Sequence, residues 1–110
     1  MDDCIFCKIA RREIPKEFTY EDEEIIAFPD IRPLKPIHLL IVPKKHINDL
    51  LDITDPTLFE KLGKVIQLVA HQKGLTDKGY RVVINGGGAQ EVPHLHIHLM
   101  GPLPKAVNMV

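Results

Sequence analysis

No stretch of this chain approaches the roughly 20 consecutive apolar residues that a membrane-spanning helix needs. Only two cysteines occur in 110 residues, so the protein is not a disulfide-stapled scaffold and must rely on a hydrophobic core. Excess charge is also missing: 14 Lys and Arg stand against 15 Asp and Glu, for a formal net charge of −1. That balance excludes the concentrated basic field of an electrostatic nucleic-acid binder. Lys44-Lys45 and Arg11-Arg12 are too short to change this and read as solvated surface. Met1-Asp2-Asp3-Cys4 lacks the basic start of a signal peptide. Internal repeats and low-complexity segments are absent too. The expectation is one cytoplasmic domain with neither a membrane nor a nucleic acid as partner.

What is present reads as an α+β domain. Cys4 to Arg12 has the spacing of a short helix with Ile5, Ile9 and Phe6 facing inward, stopped by Pro15. Phe18 to Glu21 and Ile25 to Phe28 read as strands joined by the polar turn Asp22-Glu23-Glu24. Pro29, Pro33 and Pro36 force an extended loop, after which Ile37 to Val42 is an apolar strand interrupted only by His38. Asp55 caps a long helix with Pro56 in its first position, and Leu58, Leu62, Val65, Ile66 and Val69 follow helical spacing up to Gly74. His71 falls on this helix, away from every motif, and reads as surface. Tyr80 to Ile84 and Val92 to Met100 complete a mostly antiparallel sheet of about five strands, with one short N-terminal and one long helix.

The most telling segment is His94-Leu95-His96-Ile97-His98. On a strand, alternate side chains share a face, so the histidines line one side while Leu95, Ile97 and Leu99 enter the core. A single buried histidine is usually a satisfied core residue. Three at period two present rings that can act as base, acid, nucleophile or ligand near neutral pH. Positions two apart on a strand lie about 6.8 Å apart, so His94 and His98 are separated by roughly 13–14 Å. One ion with bonds of about 2.0–2.1 Å cannot take all the rings, and the triad must divide its work.

Cys4-Ile5-Phe6-Cys7 has the spacing of a zinc knuckle, a redox dithiol, or simple apolar burial. No strand precedes it, which disfavours the redox reading, and the histidines make zinc the leading one; a closed Cys2His2 set would be structural. The glycine run fails as a dinucleotide fingerprint, because position 91 is Glu and a strand follows. It reads as a tight turn whose bare backbone N–H groups are open to a phosphate.

Together these residues resemble the histidine triad (HIT) superfamily of nucleotide-binding hydrolases and transferases. His94 to Met100 resembles its signature, Cys4 to Ile9 its N-terminal helix, Phe28-Pro29-Asp30-Ile31 its nucleoside pocket, and His38 to Ile47 its central strand and turn. Length and Gly101 resemble the small Hint-type branch more than the Fhit-type. The resemblance implies one HIT domain over residues 1–110. It implies that His96 attacks the α-phosphorus and forms a nucleotidyl-histidine intermediate. His98 and His38 would donate hydrogen bonds to the phosphoryl oxygens, supported by Asn85 and backbone N–H groups around Gln90. Asp30 would hold the ribose. Ile5, Phe6, Ile9, Ile14, Ile31 and Leu40 would wall the base, with Ile9 and Ile14 equally readable as plain core. Ala89, Glu91 and Val92 would border the substrate.

The resemblance also implies a structural zinc on Cys4, Cys7, His46 and His94, a homodimer, and a purine nucleotide or nucleoside phosphoramidate as substrate. Glu91 stands where many Hint-type proteins carry serine, and the C-terminus lacks a tryptophan found in some relatives. Rival readings are a dinucleoside polyphosphate hydrolase, a nucleotide-binding or scaffolding module with vestigial activity, and, outside the family, a metal-dependent hydrolase. A uridylyltransferase is disfavoured because position 98 is His, where that branch carries Gln.

Overall fold

The structure is a computed structural model that describes residues 3–105. The first two residues of the N-terminal segment read above and the chain beyond residue 105 lie outside the described residues. A short helix α1 (Ile5–Ala10) precedes strands β1 (Tyr20–Glu21), β2 (Ile25–Pro29) and β3 (Ile37–Pro43). A 3-10 turn (Leu50–Asp52) and helix α2 (Pro56–Gln72) lead to β4 (Arg81–Ile84) and β5 (Ile97–Gly101). The strands form one five-stranded antiparallel sheet in the order β1-β2-β3-β5-β4.

Burial on both sides of the sheet explains why β2 and β3 are almost wholly apolar. Ile25, Ala27, Leu39, Ile41, Ile97 and Leu99 pack against Leu58, Leu62, Val65 and Val69 of α2. The opposite face carries Ile26, Phe28, Leu40 and Val42, covered by Phe6 and Ile9 of α1. Asp55 accepts from the Thr57 N–H at the α2 start, and Pro56 occupies a position where no N–H is needed. Beyond the other end, Gly74 turns at φ +72, and the Leu75 N–H reaches back to Ala70 O.

Two expectations need correction. The last strand starts at Ile97, not at Val92. Pro93 has no N–H to give a ladder, the His94 N–H turns back to Val92 O (2.8 Å), and the Leu95 N–H bonds Ile47 O (2.6 Å). The alternation survives without the ladder, since Leu95 still enters the core with Ile97 and Leu99. Ile5 is the second correction. The buried residues of α1 are Phe6, Cys7 and Ile9, whereas Ile5 is 46% exposed. In a six-residue helix the inward stripe is narrow, and Ile5 at its first position falls outside it.

Candidate functional site

The sheet register gathers the histidines. Directly paired residues of neighbouring antiparallel strands point to the same face. His38 pairs with Met100 and Leu40 with His98, while Phe28 pairs with Leu40. His38 and His98 therefore share the α1 face with Phe28 and Leu40. His96, just before β5, keeps to this side and meets the Phe6 ring edge-on, with centroids 5.0 Å apart. Its ring lies 5.1 Å from that of His98. His94, His96 and His38 are all buried, and His98 is half-buried.

Hydrogen bonds fix which nitrogen of each ring carries the proton. A carbonyl oxygen only accepts, so His96 Nδ1–H donates to His94 O (2.8 Å), leaving the lone pair on Nε2. His38 Nδ1 accepts the Leu34 N–H (3.0 Å), so its proton sits on Nε2 and is donated to His98 Nδ1 (2.9 Å). His98 then carries its own proton on Nε2. Asp30 lies beside this pair, with Oδ2 3.4 Å from His38 Nε2 and 3.9 Å from His98 Nδ1. Its Oδ1 accepts the Arg32 N–H (2.8 Å). Burial lowers the His98 pKa, His96 and His38 lower it further, and Asp30 and Glu91 oppose them. His38 thus differs from expectation: its single N–H is directed at His98 Nδ1.

A second cluster joins the N-terminal helix to the sheet. Cys4 Sγ lies 3.3 Å from His94 Nδ1, and Cys7 Sγ lies 3.2 Å from His46 Nδ1 and 3.6 Å from His94 Nδ1. One ligand atom from each of Cys4, Cys7, His46 and His94 falls within 4.8 Å of all the others. Zn–S and Zn–N bonds of about 2.3 and 2.05 Å give a tetrahedron with sulfur–nitrogen edges of roughly 3.5 Å, close to this spacing. Proton placement agrees. His94 Nε2–H donates to Pro43 O (2.7 Å) and His46 Nε2–H to Asn48 Oδ1 (2.7 Å), so both rings turn a lone pair towards the sulfurs. Burial lowers the His94 pKa and, together with Cys4, raises that of the Cys7 thiol.

Asp30, His38 and His98 also bring three potential ligand atoms within 4.8 Å. Their chemistry is different. His38 presents an N–H, not a lone pair, to that group, and the 2.9 Å ring contact is a hydrogen bond. The donor set fits a metal at the cysteine cluster and a proton at the other.

The remaining candidates divide by exposure. Phe6 and Leu40 are buried in the core below the histidines, and Ile9 is core outright at 1% exposure. Ile14 is half-buried against the same cluster. Ile31 is 81% exposed, leaving an apolar surface beside Asp30 free for a ligand. Ile5, Glu91 and Val92 line a groove of about 470 Å³ together with Cys4, His46 and Asn48. Asn85 and Ala89 are exposed at the two ends of the glycine turn. The glycine N–H groups are less bare than the sequence suggested. Gly87 N–H is taken by Asp49 Oδ2 (2.5 Å) and Gly88 N–H by Gln90 Oε1 (2.9 Å). Asn48 and Asp49 escaped notice because an Asn-Asp pair before a turn reads as ordinary local capping.

The HIT domain profile matches residues 11–104. The chain is 49% identical to Protein HitA of Neisseria gonorrhoeae over 106 residues, covering 92% of this chain and 97% of HitA. It is 40% identical to the purine nucleoside phosphoramidase of Escherichia coli (strain K12), covering 94% of this chain and 90% of that enzyme. A HIT family hydrolase from Clostridium thermocellum superposes with a TM-score of 0.91 at 39% identity, over 100% of this chain and 99% of that one. A Zn-bound histidine triad family protein from Mycobacterium smegmatis does so with a TM-score of 0.80 at 34% identity, over 99% of this chain and 81% of that one.

Proposed function

The chain belongs to the HIT family, and from that premise we propose that it is a Hint-type nucleotide hydrolase. It cleaves nucleoside 5′-phosphoramidates or related nucleotidyl substrates at the α-phosphorus. The observation that carries this reading is the His96 tautomer: Nδ1–H is tied to a carbonyl and Nε2 keeps its lone pair. The purine nucleoside phosphoramidase name of the E. coli relative supports the substrate class.

His96 Nε2 attacks the α-phosphorus, forming a P–N bond as the bond to the leaving amine breaks. The leaving nitrogen departs as the amine with a proton drawn from water, and His98 keeps its one proton, on Nε2, against the phosphoryl oxygens. Water then attacks the nucleotidyl-His96 and returns a proton to the solvent, the P–N bond breaks, and the nucleoside monophosphate and a free imidazole are released. Before the first step His98 Nε2–H donates to the phosphoryl group, where negative charge is shared. His38 is a positioning residue, because its N–H holds His98 in the donor tautomer. Asp30 receives the ribose hydroxyls, and Phe6, Leu40, Ile5 and Ile31 wall the base. Asn85 and the 89–92 segment border the phosphate and leaving group. Turnover of a panel of adenosine and guanosine phosphoramidates against dinucleoside polyphosphates tests the reading. Preference for the phosphoramidates is expected, and hydrolysis of the dinucleotides alone would contradict it.

Protonating His98 at Nδ1 would break the bond from His38. Its folded pKa lies below the ordinary imidazole value near 6.5, so the donor tautomer persists as the pH falls past that value. The NMR titration of the His98 ring should therefore have its midpoint below pH 6.5. A midpoint above that value would contradict the His38–His98 hydrogen-bond assignment. The same sign holds for stability: the contribution is complete above the unfolded pKa and is lost as pH falls through the folded one.

Zinc is the metal that suits two thiolates and two neutral imidazoles, and here its role is structural, pinning α1 to the sheet. The Zn-bound M. smegmatis relative supports this reading. We also read the protein as one HIT domain that forms a cytoplasmic homodimer. The edge strand β4 and the residue before it leave Tyr80, Val82 and Ile84 exposed, and α2 leaves Phe59 and Leu68 exposed. Pairing with a second copy would cover such an edge. Sedimentation at micromolar concentration should give twice the chain mass, and a monomer mass would contradict it.

A further inference from the structure

The segment that follows His46 touches both halves of the site. His46 Nε2–H donates to Asn48 Oδ1 (2.7 Å), while the Asn48 backbone carbonyl accepts from Gln90 Nε2 (3.0 Å). Asp49 holds two backbone N–H groups, Leu51 to Oδ1 (2.9 Å) and Gly87 to Oδ2 (2.5 Å). Gln90 returns to the turn by accepting Gly88 N–H on Oε1 (2.9 Å). The glycine turn presses on the carboxylate so closely that a Cβ on Gly86 would lie 3.1 Å from Asp49 Oδ1. Immediately upstream, Ile47 O takes the Leu95 N–H (2.6 Å) between two triad histidines.

We propose that Asn48 and Asp49 are positioning residues that couple the Cys4-Cys7-His46-His94 cluster to the 86–90 turn, so that zinc and nucleotide each tighten the binding of the other. The coupling rests on the zinc and nucleotide readings above. Gly87 and Gly88 adopt φ of +66 and +95, a conformation that glycine permits but does not hold by itself. The turn is closed from within by Ala89 N–H to Gly86 O (3.1 Å) and Gly88 N–H to Gln90 Oε1, and among the described residues its hydrogen-bond anchors from outside are Asp49 Oδ2 and the Asn48 carbonyl. Asp49 is a strong anchor because its bonds are charge-assisted. The two N–H groups, Leu51 first and Gly87 second, hold its carboxyl below the usual carboxylate range. Ligation at His46 Nδ1 fixes that ring, the ring fixes the Asn48 side chain through Nε2–H, and residues 48–49 fix the turn. A turn ordered beforehand removes part of the cost of ordering it around a phosphate. Linkage then requires the reciprocal effect on zinc.

The test uses the zinc-loaded protein, with adenosine 5′-monophosphate as the nucleotide probe. Calorimetry gives its affinity, amide hydrogen exchange reports Gly87, and equilibrium competition with a chromophoric chelator gives zinc affinity with and without the nucleotide. In wild type, saturating nucleotide should tighten zinc by about 5-fold or more, the lower end of typical coupling. Asn48→Ala keeps its backbone carbonyl but loses the link to His46, so both ligands should bind while the coupling falls to about 1-fold. Asp49→Ala should leave zinc uptake intact, speed exchange at Gly87 and raise KM more than it lowers kcat. Asp49→Asn, which keeps an acceptor oxygen, should restore most of the loss. Zinc affinity that ignores nucleotide in wild type overturns the coupling, and coupling that survives Asn48→Ala overturns the role of Asn48. Unchanged Gly87 exchange and KM in a folded Asp49→Ala protein overturns the role of Asp49. A wild-type chain that takes up no zinc overturns the metal reading as well, so the failures are distinguishable.

Discussion

Replacing His96 with alanine is expected to abolish turnover of an adenosine phosphoramidate while nucleotide affinity and zinc content stay close to wild type. The side chain is 5% exposed and its Nδ1–H is fixed on His94 O, so Nε2 is the one ring nitrogen left to act. Deleting a covalent nucleophile removes the pathway itself, and such deletions cost on the order of 10⁶ in kcat. Losing His98 removes a donor and leaves the pathway in place, at a cost nearer 10²–10³, the magnitude for one oxyanion-hole donor. The contrast between the two variants is therefore as informative as either alone. Because alanine opens space beside Phe6, His96→Asn serves as the better-filled companion, and it should be equally inactive. Near wild-type turnover in either protein would remove His96 from the role of nucleophile.

Cys7→Ser should reduce zinc from about one ion per chain to near zero and destabilise the fold sharply. Cys7 is buried and its sulfur lies within reach of both cluster histidines, so it is the ligand least easily replaced. A site filled to 1,000 times its dissociation constant contributes about 4 kcal/mol to stability, and that contribution disappears with the ion. Folding and metal binding are coupled because α1 has only six residues and cannot hold a helix unaided. Surviving molecules should still perform the chemical step, since none of the four cluster residues is His96, His98 or His38. Thermal unfolding with elemental analysis decides the matter. Protein purified without added metal that holds no zinc, with both thiols freely titratable, would contradict it.

The histidine alternation was readable because it follows strand periodicity, and Leu95 and His96 keep to opposite sides of the sheet although His94 sits in a bend ahead of β5. The long helix was readable from its caps and apolar spacing, and the short one from apolar spacing with Pro15 as its stop. The true start of β5 was not, because it depends on where β3 ends and on the Leu95 N–H finding Ile47 O, neither of which is local. The grouping of Cys4 and Cys7 with His46 and His94 came through family resemblance, since residues 87 apart have no local signal that they touch. The direction of the His38 proton depends on the backbone of Leu34, and no residue type encodes it. Asn48 and Asp49 were invisible for a similar reason: their partners in the glycine turn lie 42 and 38 positions away. Exposure of Ile5 shows the limit of helical periodicity in an element shorter than two turns.

The most direct measurement is denaturing mass spectrometry of wild-type protein quenched during turnover of an adenosine phosphoramidate, with peptide mapping of the adduct. The expected result is one adenylyl group on the peptide containing His96, absent from His96→Ala. An adduct mapped to another residue, or hydrolysis that proceeds with no adduct under conditions that preserve phosphohistidine, would contradict the assignment of His96 as the covalent nucleophile.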